Sequence, residues 1–181
     1  MKKITTYFLI FPLICFCAFS CNNNKKKVIT TEDIRNYENR NIEINREIVK
    51  LKQDTIKKYI EDHNLDMQKS GTGLWYNIKS SGDTLSIEKN DIVRIAYTIR
   101  LLNEKLCYSS DSTGLKEFKV GQGGVETGLE EAILLMHKGD TAELLIPPHL
   151  AHGLLGDQTK IPSLAILHYS VIVTDIFKSK K

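Results

Sequence analysis

The sequence predicts an α+β fold: an antiparallel sheet wrapped on one short helix, preceded by a helical arm. Three observations carry this. Val93, Ile95, Tyr97, Ile99 and Leu101 alternate with Arg94, Ala96, Thr98 and Arg100, the period of two of a strand with one buried face. A second alternating run, Leu164 to Phe177, puts Leu167, Tyr169, Val171 and Val173 on one side. Between them, Leu129, Ala132, Ile133 and Met136 share one face of a single short helix. Many strands and one helix argue for a sheet-on-helix layer.

The 181 residues amount to one ordinary domain with extensions, and 41% hydrophobic with 26% charged residues are globular values. The net charge of +3 includes Lys2 and Lys3, so the rest is near neutral and nucleic-acid binding is not expected.

Residues 1–20 read as a signal peptide. Lys2-Lys3 precede an apolar run, Tyr7 to Phe19, too short to span a bilayer. The run ends Ala18-Phe19-Ser20-Cys21, which resembles a bacterial lipoprotein signal, with Cys21 as the lipid-bearing residue and a membrane as the partner. The alternative is ordinary secretory cleavage with Cys21 left free. Residues 21–29, with Lys25-Lys26-Lys27, read as a solvated tether. Cys15 and Cys17 lie in the removed segment and Cys21 is spent on lipid, so Cys107 alone remains in the mature fold. No disulfide, metal site or cofactor is expected.

Residues 30–66 read as the arm. Thr30-Thr31-Glu32-Asp33 supplies hydroxyl caps and first-turn acids. Ile34, Tyr37, Asn41, Ile44, Ile48, Leu51 and Thr55 then form a heptad-like stripe, widened by Ile56, Tyr59 and Ile60. Two readings stay open: an amphipathic arm packed on its own domain, or a short coiled coil pairing two chains through residues 34–60.

The remaining domain, residues 70–181, starts after Ser70-Gly71-Thr72-Gly73. Leu74-Trp75-Tyr76-Asn77-Ile78 is a short strand, and Ser80-Ser81-Gly82-Asp83 a turn. Gly121, Gly123 and Gly124 permit sharp turns before the short helix, Leu129 to Met136. Glu130-Glu131 near its start reads as a dipole-compensating acid pair. Lys138-Gly139-Asp140 stops it. Ala142, Leu144 and Ile146 alternate as a half-buried strand that Pro147-Pro148 ends.

The run Val120 to Pro162 resembles the core of the FKBP-type peptidyl-prolyl isomerases. The resemblance rests on Val125, Gly128-Leu129-Glu130-Glu131-Ala132, Met136, Lys138-Gly139, Ala142-Glu143-Leu144-Leu145-Ile146-Pro147-Pro148, Ala151-His152-Gly153 and Ile161-Pro162-Ser163-Leu164-Ala165. It implies a curved sheet around one helix, Pro-containing polypeptides as partners, and a pocket whose walls are Tyr97, Phe118, Val125 and Ile161. By the same resemblance Glu126 offers its backbone N–H. Leu129 replaces a tryptophan floor, Tyr169 a phenylalanine wall, and His152 a tyrosine donor that a neutral imidazole N–H can stand in for. Cys107 and Tyr108 stand where the family has phenylalanine and aspartate. The expected catalytic set is therefore Tyr97, Tyr108, Glu126 and His152, with Tyr97, Cys107, Phe118, Val125, Leu129, Ile161 and Tyr169 binding substrate. The departures leave two functions open: a membrane-tethered prolyl isomerase assisting envelope proteins, or a catalytically weak module that binds Pro-containing or unfolded segments. The arm, Gly73-Leu74-Trp75-Tyr76, Cys107-Tyr108-Ser109-Ser110 and Leu150-Ala151-His152-Gly153 together resemble, more narrowly, gliding-motility-associated FKBP-type lipoproteins of Bacteroidetes.

Overall fold

The computed structural model describes residues 30–179, so the expected signal peptide and tether lie outside the described residues. The arm is one helix, α1 (Thr31–Asp62). Thr30 and Asp33 cap it reciprocally: the Asp33 N–H donates to Thr30 Oγ1 at 3.1 Å, and the Thr30 N–H to Asp33 Oδ2 at 3.0 Å. No described helix is long and apolar enough to cross a membrane.

Seven strands follow: β1 (Gln68–Lys69), β2 (Trp75–Lys79), β3 (Ile92–Leu101), β4 (Leu106–Ser109), β5 (Lys116–Lys119), β6 (Thr141–Ile146) and β7 (Leu167–Phe177). They form one antiparallel sheet in the order β1-β2-β6-β7-β3-β4, with β5 pairing β3 beside it. Two bulges bend it. Ile99 pairs Tyr108 while Arg100 pairs Leu106, which leaves Cys107 as the extra residue. Arg94 pairs Asp175 while Ile95 pairs Val173, so Thr174 is extra, and its hydroxyl donates to the Arg94 carbonyl at 3.0 Å.

The two long alternating runs meet as neighbours. Tyr97 lies opposite Val171 and Ile99 opposite Tyr169. Their inward residues Val93, Ile95, Ile99, Leu167, Tyr169, Val171 and Val173 are at most 4% exposed and form one core with α3 (Thr127–Ile133). A four-residue helix, α2 (Ser110–Thr113), links β4 to β5.

The short helix ends earlier than the apolar spacing predicts. After Ile133, Leu135 and Met136 donate to carbonyls only three residues back, so the chain tightens out of the α-helix before Lys138-Gly139. Met136 still drops into the core at 1% exposure, while Leu134 and Leu135 face outward at 47% each. Glu130 lies in the first turn of α3, where an acid compensates the dipole, and both side chains of the acid pair also tie down neighbouring loops. Glu130 Oε1 accepts from the Gly121 and Gly123 N–H groups at 3.2 and 3.1 Å, clamping a loop whose two glycines sit at φ +79° and +72°. Glu131 accepts from the Thr72 hydroxyl at 2.6 Å.

Alternation in β6 also understates its burial. Ala142, Leu144 and Ile146 face the core as expected, yet Leu145 on the opposite face is sealed as well. Ile56 and Ile166 cover it, with Tyr59, Ile60 and Trp75 around them. From Asn41 onward α1 turns Ile48, Val49, Gln53, Ile56, Tyr59 and Ile60 toward the domain, a face that takes Ile48 from the heptad-like stripe together with the residues that widen it late. Gln53 fixes this docking: its amide donates to the Gly73 carbonyl at 2.8 Å and accepts from Trp75 Nε1 at 3.0 Å. Tyr59 donates to Glu104 at 2.8 Å, and burial together with that carboxylate raises its phenol to about 12. Of the stripe, Ile34, Tyr37, Ile44 and Leu51 stay at least 50% exposed.

Candidate active site

The expected binding residues come from six separate chain segments into one apolar cluster. Cys107, Phe118, Leu129, Ile161 and Tyr169 are buried in it, and Tyr97, Tyr108 and Val125 are half-buried against it. Three of these are sealed: Leu129 is 0% exposed, and Cys107 and Tyr169 are 1%. They back the walls, and of the expected set Tyr97, Tyr108, Val125, Glu126 and His152 keep partly exposed surface. Cys107 is sealed because its bulge turns it inward, where Sγ lies 3.8 and 3.6 Å from the Lys105 and Lys160 carbonyls. Burial pushes its thiol up, away from a reactive thiolate.

Tyr97 is held at both ends. Its N–H donates to Ser110 Oγ at 3.1 Å, and its hydroxyl lies 2.9 Å from Thr113 Oγ1. The α2 turn makes this possible: Ser109 caps it by accepting from the Asp111 N–H at 3.2 Å. Thr113 was not among the expected site residues. The Ser109-Ser110-Asp111 run is the cap signal that could have placed it.

Sequence position assigns Tyr108 to the catalytic set; the structure uses its hydroxyl elsewhere. That hydroxyl donates to Asp157 and lies 2.8 Å from Thr159 Oγ1, with Lys160 Nζ 4.8 Å from the ring centroid. Asp157 Oδ1 also accepts the N–H groups of Thr159, Lys160 and Ile161 at 2.9, 2.9 and 2.7 Å. Burial alone would raise the Asp157 carboxyl, but Tyr108 and these amides hold it far below the usual carboxylate range. The same bond, first among its causes, raises the Tyr108 phenol. So Tyr108 locks the loop carrying His152 and Ile161 onto β4. Gly156 permits that loop: a side chain there would meet the Ile161 carbonyl at 2.2 Å, at φ +65°. Asp157 and Thr159 were missed in the sequence, where Gly-Asp-x-Thr is only a weak turn signal.

Glu126 precedes α3 and does not cap it. Gly128 brings the helix so close to β6 that an added Cβ would lie 2.5 Å from Ile146 Cγ2, which fixes where Glu126 sits. The Glu126 backbone N–H donates to no group among the described residues. Its side chain, 8% exposed, points inward, with Oε1 3.1 Å from His152 Nε2. Oε2 and the buried Tyr169 hydroxyl each fall short of a well-formed hydrogen bond, although the Glu126 carboxylate lies close enough to that hydroxyl to act on it. Burial first, and then the Glu126 charge, raise the Tyr169 phenol.

The arrangement is an apolar wall with a backbone N–H that has no partner among the described residues and an imidazole beside it. Residues 84–174 match the family model described as FKBP-type peptidyl-prolyl cis-trans isomerase. The chain is 34% identical over 112 residues to a probable FKBP-type peptidyl-prolyl cis-trans isomerase of Haemophilus influenzae, spanning 61% of this chain and 46% of that protein. It is 37% identical over 89 residues to FK506-binding protein 2 of Dictyostelium discoideum, 49% of this chain and 67% of that one. The crystal structure of FkpA from Escherichia coli superposes with a TM-score of 0.62 at 25% identity, covering 85% of this chain and 76% of that one. The match thus spans less than half of the Haemophilus protein.

Proposed function

This chain belongs to the FKBP-type peptidyl-prolyl cis-trans isomerase family, and from that premise we propose that it accelerates rotation about X-Pro bonds in polypeptide clients. The unsatisfied Glu126 N–H beside the wall of Val125, Tyr97 and Phe118 carries the reading. Uncatalysed rotation faces a barrier of about 20 kcal/mol, because amide resonance must be lost. No bond need be made or broken to lower it. The apolar wall takes the proline ring and strips water from the preceding carbonyl, which disfavours the dipolar planar amide. The Glu126 N–H and the His152 ring then stand where donors can favour the twisted state. The test is turnover on X-Pro peptides with varied X. Val125→Asp is expected to cut kcat/KM at least about tenfold in a protein that still folds. No acceleration for any X by the folded wild type overturns the proposal.

A second reading, a binding module for Pro-containing or unfolded segments, draws on the sealed Cys107, Leu129 and Tyr169 and on the Tyr108 hydroxyl spent on Asp157. It predicts peptide binding without turnover.

The cellular setting we propose is the bacterial envelope, with the domain tethered to a membrane by a lipid on Cys21 and facing the periplasm, where it assists envelope proteins, among them gliding machinery. Support comes from the amino-terminal sequence pattern and the narrower resemblance given above. Pairing of two copies through residues 34–60 is a companion proposal. It draws on the exposed Ile34, Tyr37, Ile44 and Leu51, which the docking face of α1 leaves uncovered.

A further inference from the structure

The Glu126 side chain does something that its proposed backbone role does not require. Burying a carboxylate costs several kcal/mol unless it is paired, and an apolar residue would leave the N–H in place. Here the carboxylate is 92% buried, paired at Oε1 with His152 Nε2 and beside the buried Tyr169 hydroxyl, with no well-formed hydrogen bond at Oε2. An ionised carboxylate only accepts, so Nε2 must carry the hydrogen. The lone pair of the neutral ring is then on Nδ1, which has no partner among the described residues. A substrate carbonyl meeting that nitrogen would face an acceptor. Only the imidazolium has a second N–H to offer.

We infer that Glu126 is a positioning residue that fixes the Nε2–H tautomer of His152, so that His152 supports the twisted substrate carbonyl only when protonated, through Nδ1–H. This deepens the isomerase reading and rests on it. It differs from the sequence expectation that a neutral imidazole there replaces a tyrosine hydroxyl.

Tyr169 from β7 lies against Glu126; Tyr97 from β3 and Tyr108 from β4 belong to the same apolar cluster, and Asp157 is on the loop of His152. Tyr169 and Tyr108 are raised and Asp157 is lowered, so these three keep one charge state across the range in which histidine titrates. Tyr97 is tied to Thr113. Turnover is therefore expected to rise as the pH falls through the histidine range, because protonation creates the donor.

The experiment is kcat/KM of the purified protein from about pH 8.5 to 5.5, with 15N ring shifts of His152 over the same range. Wild type should gain about tenfold toward acid and show the Nε2–H form when neutral. In Glu126→Gln the amide can donate to Nε2, so the neutral ring can take the Nδ1–H form. The profile should flatten, with turnover at the alkaline end above wild type. His152→Tyr should be flat as well, since a phenol donates throughout. A merely structural Glu126 would instead lower turnover evenly at every pH. A flat wild-type profile, an unchanged slope in Glu126→Gln, or a neutral Nδ1–H ring in wild type overturns the inference. Absence of turnover at every pH sinks the isomerase reading. The ring shifts then decide the positioning claim alone: it stands if the Nε2–H preference is seen in wild type and lost in Glu126→Gln, and falls otherwise.

Discussion

The helices α3 and α1 use the same physical rules to opposite ends. In seven residues α3 buries Gly128, Leu129, Ala132 and Ile133; in 32 residues α1 buries Ile56 alone. A single isolated helix of seven residues has no stability in water, so α3 exists because the sheet closes over it. Each fully buried Leu, Ile or Met in this region contributes about 1.5–3 kcal/mol. The helix in turn sets the position of Glu126. The longer helix has its own cap, i to i+4 ion pairs such as Lys58–Asp62, and a narrow docking face. Length and propensity made α1; tertiary contact made α3, and only α3 reaches the site.

Truncating one isoleucine at a time tests this contrast. Ile133→Ala should cost about 4 kcal/mol, since nothing can move in to fill the space between α3 and the sheet. Chemical unfolding should show it, with turnover falling in step as Glu126 shifts. Ile56→Ala should cost about 3 kcal/mol and loosen the arm, yet leave kcat/KM within about twofold. Equal losses of turnover in the two variants would break the contrast and make the arm part of the site.

Smaller changes sharpen it. Tyr108→Phe removes the bond to Asp157 but leaves the three loop amides on that carboxylate, so about 1.5 kcal/mol should be lost. Faster amide exchange across residues 154–161, with residues 41–60 unaltered, is the expected signature. Leu51→Glu, on the exposed stripe, should alter stability by about 0.5 kcal/mol or less. If the stripe pairs two copies, light scattering will give the mass of two chains for wild type and of one for the variant. A wild-type mass of one chain would end the pairing proposal.

Much of the site was legible because its residues carry strong local patterns. The alternation around Tyr97 and Tyr169 set those strands, and the apolar spacing from Leu129 set α3. The partners of those residues were not legible. Thr113 reaches Tyr97, Asp157 reaches Tyr108 across 49 positions, and His152 reaches Glu126 across 26. No local period encodes such a pairing.

The sequence alone determined the α+β class, the long alternating strands and the capped arm, because hydrophobic period and cap chemistry act within a few residues; the wall residues came only from the family resemblance. Tertiary structure alone decided which face of α1 docks and that Leu145 is buried on the outer face of the sheet. It also decided that Tyr108 locks a loop, and that the Glu126 carboxylate turns inward to His152. Each of these depends on what lies across a gap in space. A side chain's role there follows from the partner that removes it from water, and that partner comes from a distant part of the chain.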